Sequence, residues 1–468
     1  MVALVTPPAP VESGVAARSG ASRRLATGAV LLALIVAAFE GTVVTSAMPT
    51  IVGALGGLGI YAWVFSAFLL ASTVGVLTSG KLADAFGRRP VFVAGVGLFL
   101  LGSALCGASR SIHQLIAFRI VQGLGAGAIQ PIAMTITADL YNLRERARIQ
   151  GVLTTAWGGA NVLGPIIGGW IVMHTSWRWV FLVNVPFGLL AVLILMMTYR
   201  DPPRAPSSKQ ATSPTAGVLG ALLAGMVAAL LLFALEPGGG LGMRIRIGAV
   251  VLSLVAAFAL VRHQRRTASP ILPPSLFPDP VVRAGLLGGL FAGGVLYTCS
   301  AYVPLWMMAR LSTSAVTAGA ALVPLLAGWA LGSSFGVTVL VRWGMKTSVA
   351  GGFAIATLGA VALAWSAMAA LPAPFVFAAL GLLGFGLGPA ASTSLVAPQS
   401  HVAWRHRGMM TSSVYATRML GGSLSVAALG STSAAASLRF LGVAGIAVTA
   451  LLVMAGIAPR QVGEADLD

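Results

Sequence analysis

Acidic residues are nearly missing from this sequence. Only 11 of 468 positions are Asp or Glu, and charged residues of either sign make up 9% of the chain. A water-soluble domain carries roughly 25% charged residues, so an ordinary soluble globule is excluded. Cysteine is as scarce. Cys106 and Cys299 stand far apart, each inside an apolar run, which excludes a disulfide framework or a thiolate metal site. His113, His174, His263, His401 and His406 show no ligand spacing, so no metal or other cofactor is expected. H-E-x-x-H, G-x-S-x-G and Walker patterns are also missing from the loops, which argues against a membrane enzyme or an ATP-driven pump.

Apolar residues and glycine are what the chain has in quantity, at 57% and 58 residues respectively. Helices in lipid pack through small residues that let backbones approach. A helix needs about 20 apolar residues to cross the ~30 Å hydrocarbon layer. Such runs fall near 27–49, 61–80, 91–109, 112–138, 149–173, 179–198, 216–235 and 245–261. Six more follow near 283–308, 316–341, 347–369, 374–397, 409–431 and 438–458, which makes fourteen. The weakest is 245–261, where Arg246 and Arg262 leave fifteen uncharged residues between them. The reading is an all-α polytopic protein with the lipid bilayer as its solvent.

The net charge of +18 invites a nucleic-acid partner, but the basic residues lie in short clusters between apolar runs. Retention of basic loops on the cytoplasmic side explains that pattern. With the N-terminus inside, the inner loops and tails hold 21 of 29 Lys and Arg. The outer side holds Arg110, Arg178, Arg244, Arg246, Arg310 and Arg439, while Arg119 and Arg418 fall within spans. Both termini are therefore expected in the cytoplasm of a cell-membrane protein.

The chain divides accordingly. Residues 1–26 read as a disordered tail, 27–198 as a six-helix bundle, and 199–282 as Pro-rich linkers around an inserted helix pair. A second six-helix bundle spans 283–458 and a short tail spans 459–468. Two blocks of nearly equal length suggest a duplicated bundle. Such a bundle holds a small molecule near the midplane and rocks to alternate access.

Three motifs sit in these spans. Gly80-Lys-Leu-Ala-Asp84-Ala-Phe-Gly87-Arg88-Arg89 joins the second and third. Glycines permit the tight reversal, and Asp84 with Arg88 and Arg89 can form a charge latch that Asp139 joins. The fourth span carries Arg119-Ile-Val-Gln122-Gly123-Leu-Gly125. The fifth carries Gly158-Gly159 and then Gly164-Pro165-Ile-Ile-Gly168-Gly169. Gly164 and Gly168 share a face for close helix contact, and Pro165 can kink the helix.

With these residues the sequence resembles the major facilitator superfamily, whose signature loop has the G-x-L-x-D-x-x-G-R-R form. The fourth-span element is similar to the family's R-x-x-Q-G-x-G. Gly159 onward resembles its antiporter motif, which is associated with exporters. Fourteen helices imply the drug:proton antiporter family of the fourteen-helix type. The implied fold is two pseudo-symmetric six-helix bundles plus two helices between them. The resemblance covers 27 to about 458. It departs in the loop after the tenth span, Val341-Arg342-Trp343-Gly344-Met345-Lys346, which lacks the acid and the leading glycine.

One acid lies well inside an apolar run: Glu40. A carboxylate at the bilayer centre costs at least ~2.5 kcal/mol on insertion scales, so such residues usually have a function. Glu40 can take a proton from outside and release it to the cytoplasm. It can equally make a structural hydrogen bond to a Thr, Asn161 or Gln122. The resemblance implies an acid here too, commonly Asp, ahead of a run like Thr42 to Pro49. Arg119 stays protonated and acts electrostatically, as proton-coupling partner or anion binder. Gln122, Trp157, Asn161, Trp306, Tyr415 and Arg418 are candidate substrate-lining residues, with packing as the alternative for each. A single buried acid favours neutral or monocationic cargo.

The expected function is a monomeric, proton-coupled exporter of small amphipathic organic compounds, whether drugs or secondary metabolites. The alternative is a carrier of the same fold for a lipid, siderophore or nutrient.

Overall fold

The computed structural model describes residues 20–141, 143–201, 214–235, 242–267, 270–271, 274–311, 313–402, 407–430 and 436–460. Among them there is no β-strand. The first block comprises α1 (Gly20–Leu55), α2 (Tyr61–Phe86), α3 (Arg88–Ala108), α4 (Ile112–Leu140) and α5 (Leu143–His174). Its sixth span is divided into α6 (Trp179–Leu182) and α7 (Asn184–Thr198). The inserted pair is α8 (Pro214–Leu235) and α9 (Met243–Arg266). The second block comprises α10 (Pro280–Leu311), α11 (Ala315–Ala320), α12 (Leu322–Met368), α13 (Ala373–His401), α14 (Arg407–Gly430) and α15 (Ala436–Ile457).

The breaks between helices have local causes. Gly56 and Gly57 adopt φ of 71° and 82° to turn the chain after α1, which glycine does without strain. Gly87, at φ 100°, separates α2 from α3. Ser111 caps α4 by accepting from the Gln114 amide at 3.3 Å.

Several expected boundaries move. Residues 1–19 of the tail lie outside the described residues, but 20–26 already belong to α1. Arg244, Arg246 and Arg262 fall inside α9, whose 24 residues exceed the weak span expected at 245–261. The linker at 262–282 is largely structured, with α9 running to Arg266, a 3-10 turn at Pro274–Leu276 and α10 beginning at Pro280. Most of the linker at 199–215 and the segment 461–468 lie outside the described residues.

The fourteen expected spans are not recovered one for one. Twelve helices among the described residues are long and apolar enough to cross a membrane. One of them runs from Val316 to Met368 and takes in two expected spans. Its helices meet at Gly344, whose φ of 84° and ψ of 175° are non-helical. Arg407–Gly430 stands where 409–431 was expected, but its Arg, Ser and Thr content keeps it out of the twelve.

Three apolar cores show how the halves meet. One contains only first-half residues, among them Ala26, Leu34, Phe92, Phe99, Ile129 and Leu195. A small one, around Val282, Val402, Met410 and Val414, belongs to the second half. The largest joins Val43, Met48, Tyr61 and Phe65 to Val295, Tyr302, Trp306 and Leu322, and so crosses the seam. Polar bonds reinforce that end. The Tyr61 hydroxyl donates to the Ala301 carbonyl at 2.5 Å, and Ser66 and Ser423 each donate to the other's carbonyl at 3.1 Å. Among the described residues the halves thus meet at the end bearing Tyr61, while the first half keeps a core of its own toward the end bearing Gly87. The inserted pair leans on both halves, because α8 packs against α2 and α14.

Candidate functional site

The first half is organised around a charge buried among five helices. Glu40, from α1, is 0% exposed, and Arg119, from α4, is 2% exposed. Arg119 Nη1 donates to Glu40 Oε1 at 2.5 Å and to Gln122 Oε1 at 2.7 Å. Arg119 Nε donates to the Val64 carbonyl at 3.3 Å, and the guanidinium lies 3.9 Å above the Phe68 ring. The other carboxylate oxygen, Oε2, accepts from Asn184 Nδ2 at 2.5 Å. Gln122 Nε2 then donates to Ser103 Oγ at 2.7 Å. Helices α1, α2, α3, α4 and α7 are tied into one network.

Two consequences follow. A buried ion pair is tolerated when hydrogen bonds satisfy both partners, as here. Glu40 also offers no surplus negative charge, because Arg119 neutralises it at hydrogen-bond distance. The expectation that a lone acid would favour a monocationic cargo therefore loses its basis. Gln122, expected to line the substrate path, is fully buried inside this network instead. Glu40 bonds to Arg119 and Asn184 rather than to Asn161, whose amide donates to the Trp157 carbonyl at 2.7 Å.

Asn184 and Ser103 were not singled out in the sequence. Asn184 carried a signal all the same, as the one amide in the apolar run Phe181-Leu-Val-Asn184-Val-Pro186.

At the opposite end of the first half, Arg88 forms an ion pair with Asp139, whose other oxygen accepts from the Tyr199 hydroxyl at 2.7 Å. Arg89 Nη2 donates to the Met196 carbonyl at 2.6 Å. Asp201 Oδ1 accepts from the Arg88 and Arg89 amides at 3.0 Å each, capping α3. Gly87 is needed there, since a Cβ would lie 2.6 Å from Asp201 Oδ2. Asp84, expected in the latch, is exposed and takes part in none of the ion pairs among the described residues. Gly80 is open on its Cβ side. These contacts hold α2, α3, α4 and α7 together within one half, and among the described residues no ion pair crosses the seam. Asp201 supplies the anchor that Asp84 was expected to supply.

The fifth-span glycines form a seam. Gly164 faces Thr42 and the Phe39 carbonyl, and Gly168 faces Ser46 and Val43, so α5 lies against α1. Across the halves, a Cβ on Gly319 of α11 would sit 2.7 Å from the Pro165 carbonyl. Gly169 is buried, whereas Gly159 is exposed with open space beside it. Pro165 does not interrupt α5, which continues to His174.

The second half holds the remaining candidates. Trp306 is 5% exposed and stacks edge-on against Phe440 at 5.5 Å, a packing role rather than a lining one. Arg418, midway along α14, donates through Nη2 to the Ala391 carbonyl at 3.2 Å. Its guanidinium lies 5.3 Å from the Trp329 ring and 5.4 Å from the Tyr415 ring.

This polytopic helical architecture, with two halves meeting across a seam, is that of a solute transporter. Residues 30–426 match the Major Facilitator Superfamily, and the chain belongs to that family. It is 33% identical over 429 residues to "Multidrug transporter protein MdtP" of Bacillus subtilis, covering 89% of this chain and 76% of that one. It is 32% identical over 320 residues to "Multidrug resistance protein 3" of the same organism, covering 68% and 61%. The chain thus spans about three quarters or less of these relatives' length. In fold it is similar to the crystal structure of a D-xylose–proton symporter, with a TM-score of 0.70, 13% identity, and coverage of 95% and 99%. The protein is a multi-pass membrane transporter of small molecules, not an enzyme.

Proposed function

We propose that the chain is a proton-coupled antiporter that exports small amphipathic organic compounds by alternating access, as a monomer in the cell membrane. Support for export comes from the Gly159–Gly169 element and from two relatives whose names refer to multidrug transport or resistance. The charge bias of the loops supports a cytoplasmic place for the end bearing Gly87. On this reading the conformation is inward-facing, with the contacts around Tyr61 and Ser66 on the outer side.

The observation that carries the reading is the buried Glu40–Arg119 pair. A proton arriving at Glu40 removes its charge and leaves Arg119 an uncompensated buried cation. That state costs several kcal/mol in a fixed structure, so the bundle lowers its free energy by moving. Protonation and conformation are coupled through one guanidinium, with Asn184 holding the carboxyl in register. On release of the proton to the cytoplasm the pair closes again.

Inside-out vesicles carrying Glu40→Gln, beside wild type, test this. Cargo accumulation driven by an acid vesicle interior is lost in the variant, while cargo exchange across the membrane without a pH gradient persists. Driven accumulation at the wild-type rate would remove Glu40 from the coupling.

A further inference from the structure

The interior of the second half contains a cation without its counter-ion. Arg418 sits at the midpoint of α14 and is only partly covered. Among the described residues no acid forms an ion pair with it. Its Nε is buried with no hydrogen-bond partner, and its Nη2 reaches only the Ala391 carbonyl at 3.2 Å. Arginine presents a planar fork of donors suited to a carboxylate, and here most of that fork is unused.

Arg119 provides the contrast. It too lies over an aromatic ring, Phe68, but its donors are taken by Glu40, Gln122 and the Val64 carbonyl, and it is sealed at 2% exposure. Arg418 has the aromatic company, Trp329 from α12 and Tyr415 one turn back on α14, without the carboxylate. Its surroundings come from α10, α12, α13 and α14: Gly293 of α10 lies against the Arg418 backbone and the Tyr297 phenol is close enough to feel its charge, so four helices of the second half converge on it. A cation in the bilayer interior ordinarily pairs or marks a solute path. Since Glu40 and Arg119 cancel, Arg418 leaves this polar interior with a net positive charge.

We infer that Arg418, framed by Trp329 and Tyr415, is a binding site for an aromatic organic anion, the cargo's carboxylate or equivalent group completing the guanidinium's donor set. This rests on the transporter reading and names its substrate class. The two flat rings, each within 5.4 Å of the guanidinium, accept an aromatic body by stacking, while the fork fixes the acidic group. A cation would meet like charge there and is disfavoured.

Three naphthalenes of one shape and different charge test it: 1-naphthoate, 1-naphthamide and 1-naphthylmethylammonium. Binding to the full chain in lipid nanodiscs is measured by calorimetry for wild type, Arg418→Gln and Arg418→Lys. Wild type binds the naphthoate tenfold or more tighter than the amide, and the ammonium weakest. Arg418→Gln loses that preference while still binding the amide, which shows that it is folded, and Arg418→Lys retains part of it. Unchanged naphthoate affinity in Arg418→Gln, no naphthoate binding by wild type, or preference for the ammonium would overturn the inference. These preferences are read by binding to chains that keep Glu40, so a failure of proton coupling in the Glu40→Gln transport assay is read independently.

Discussion

Glu40 and Arg119 are each costly alone in a protein interior and acceptable together. Their exposures of 0% and 2% and their 2.5 Å contact mean that neither is relieved by water in this conformation. Removing one partner of such a pair typically destabilises by about 3–5 kcal/mol, whereas removing both for apolar groups is far milder. Glu40→Leu alone and Arg119→Met alone are accordingly each expected to lower the thermal midpoint in detergent markedly. Combining the two should recover most of the loss, and the double-mutant cycle on thermal unfolding checks it. The placement of Glu40 in apolar surroundings was legible in the sequence, because an acid inside an apolar run is conspicuous. Its direct contact with Arg119 was not. Residues 79 positions apart meet only once helix packing is known, and one sequence gives no measure of that. Asn184 was harder still, since a single amide in a membrane helix is ambiguous between packing and function. Asp201 was hidden in a Pro-rich linker, where an acid reads as solvent-facing.

At the scale of helices, glycine decides who touches whom. Gly164 and Gly168 bring α5 against α1 through Thr42, Ser46 and Val43, and α1 is the helix that carries Glu40. A side chain at Gly168 would meet Val43 and Ser46 at 2.6–2.7 Å, and overpacking of this kind costs roughly 1–3 kcal/mol. Gly168→Val is expected to lower stability by that order and to slow cargo flux. Gly159→Ala, which meets open space, should leave both near wild type. Purified yield, thermal midpoint and vesicle flux measured on the two variants separate the positions. The paired glycines were readable from their four-residue spacing. Pro165 lies inside α5, which carries on past the missing amide to His174. The break between the two spans that meet at Gly344, where φ is 84°, was legible from Arg342 and Lys346 on either side of it.

Over the whole molecule, the fold class was legible because few charges and repeated apolar runs leave a chain little choice of solvent. Which end of the seam is closed was not legible, as it depends on contacts such as Tyr61 with Ala301 and Ser66 with Ser423 that join residues 240 and 357 positions apart. The account's central claim is that the charge on Glu40 sets the balance between conformations. Spin labels at Phe86→Cys and Trp343→Cys, both exposed beside the Gly87 and Gly344 turns, report the gap between the halves by electron–electron resonance. Cys106 and Cys299 are buried and should stay unlabelled. The account predicts that acidification shifts the distance distribution of the otherwise wild-type chain, while Glu40→Gln shows the acid-side distribution at every pH. A distribution in Glu40→Gln that moves with pH as the wild type's does would contradict it.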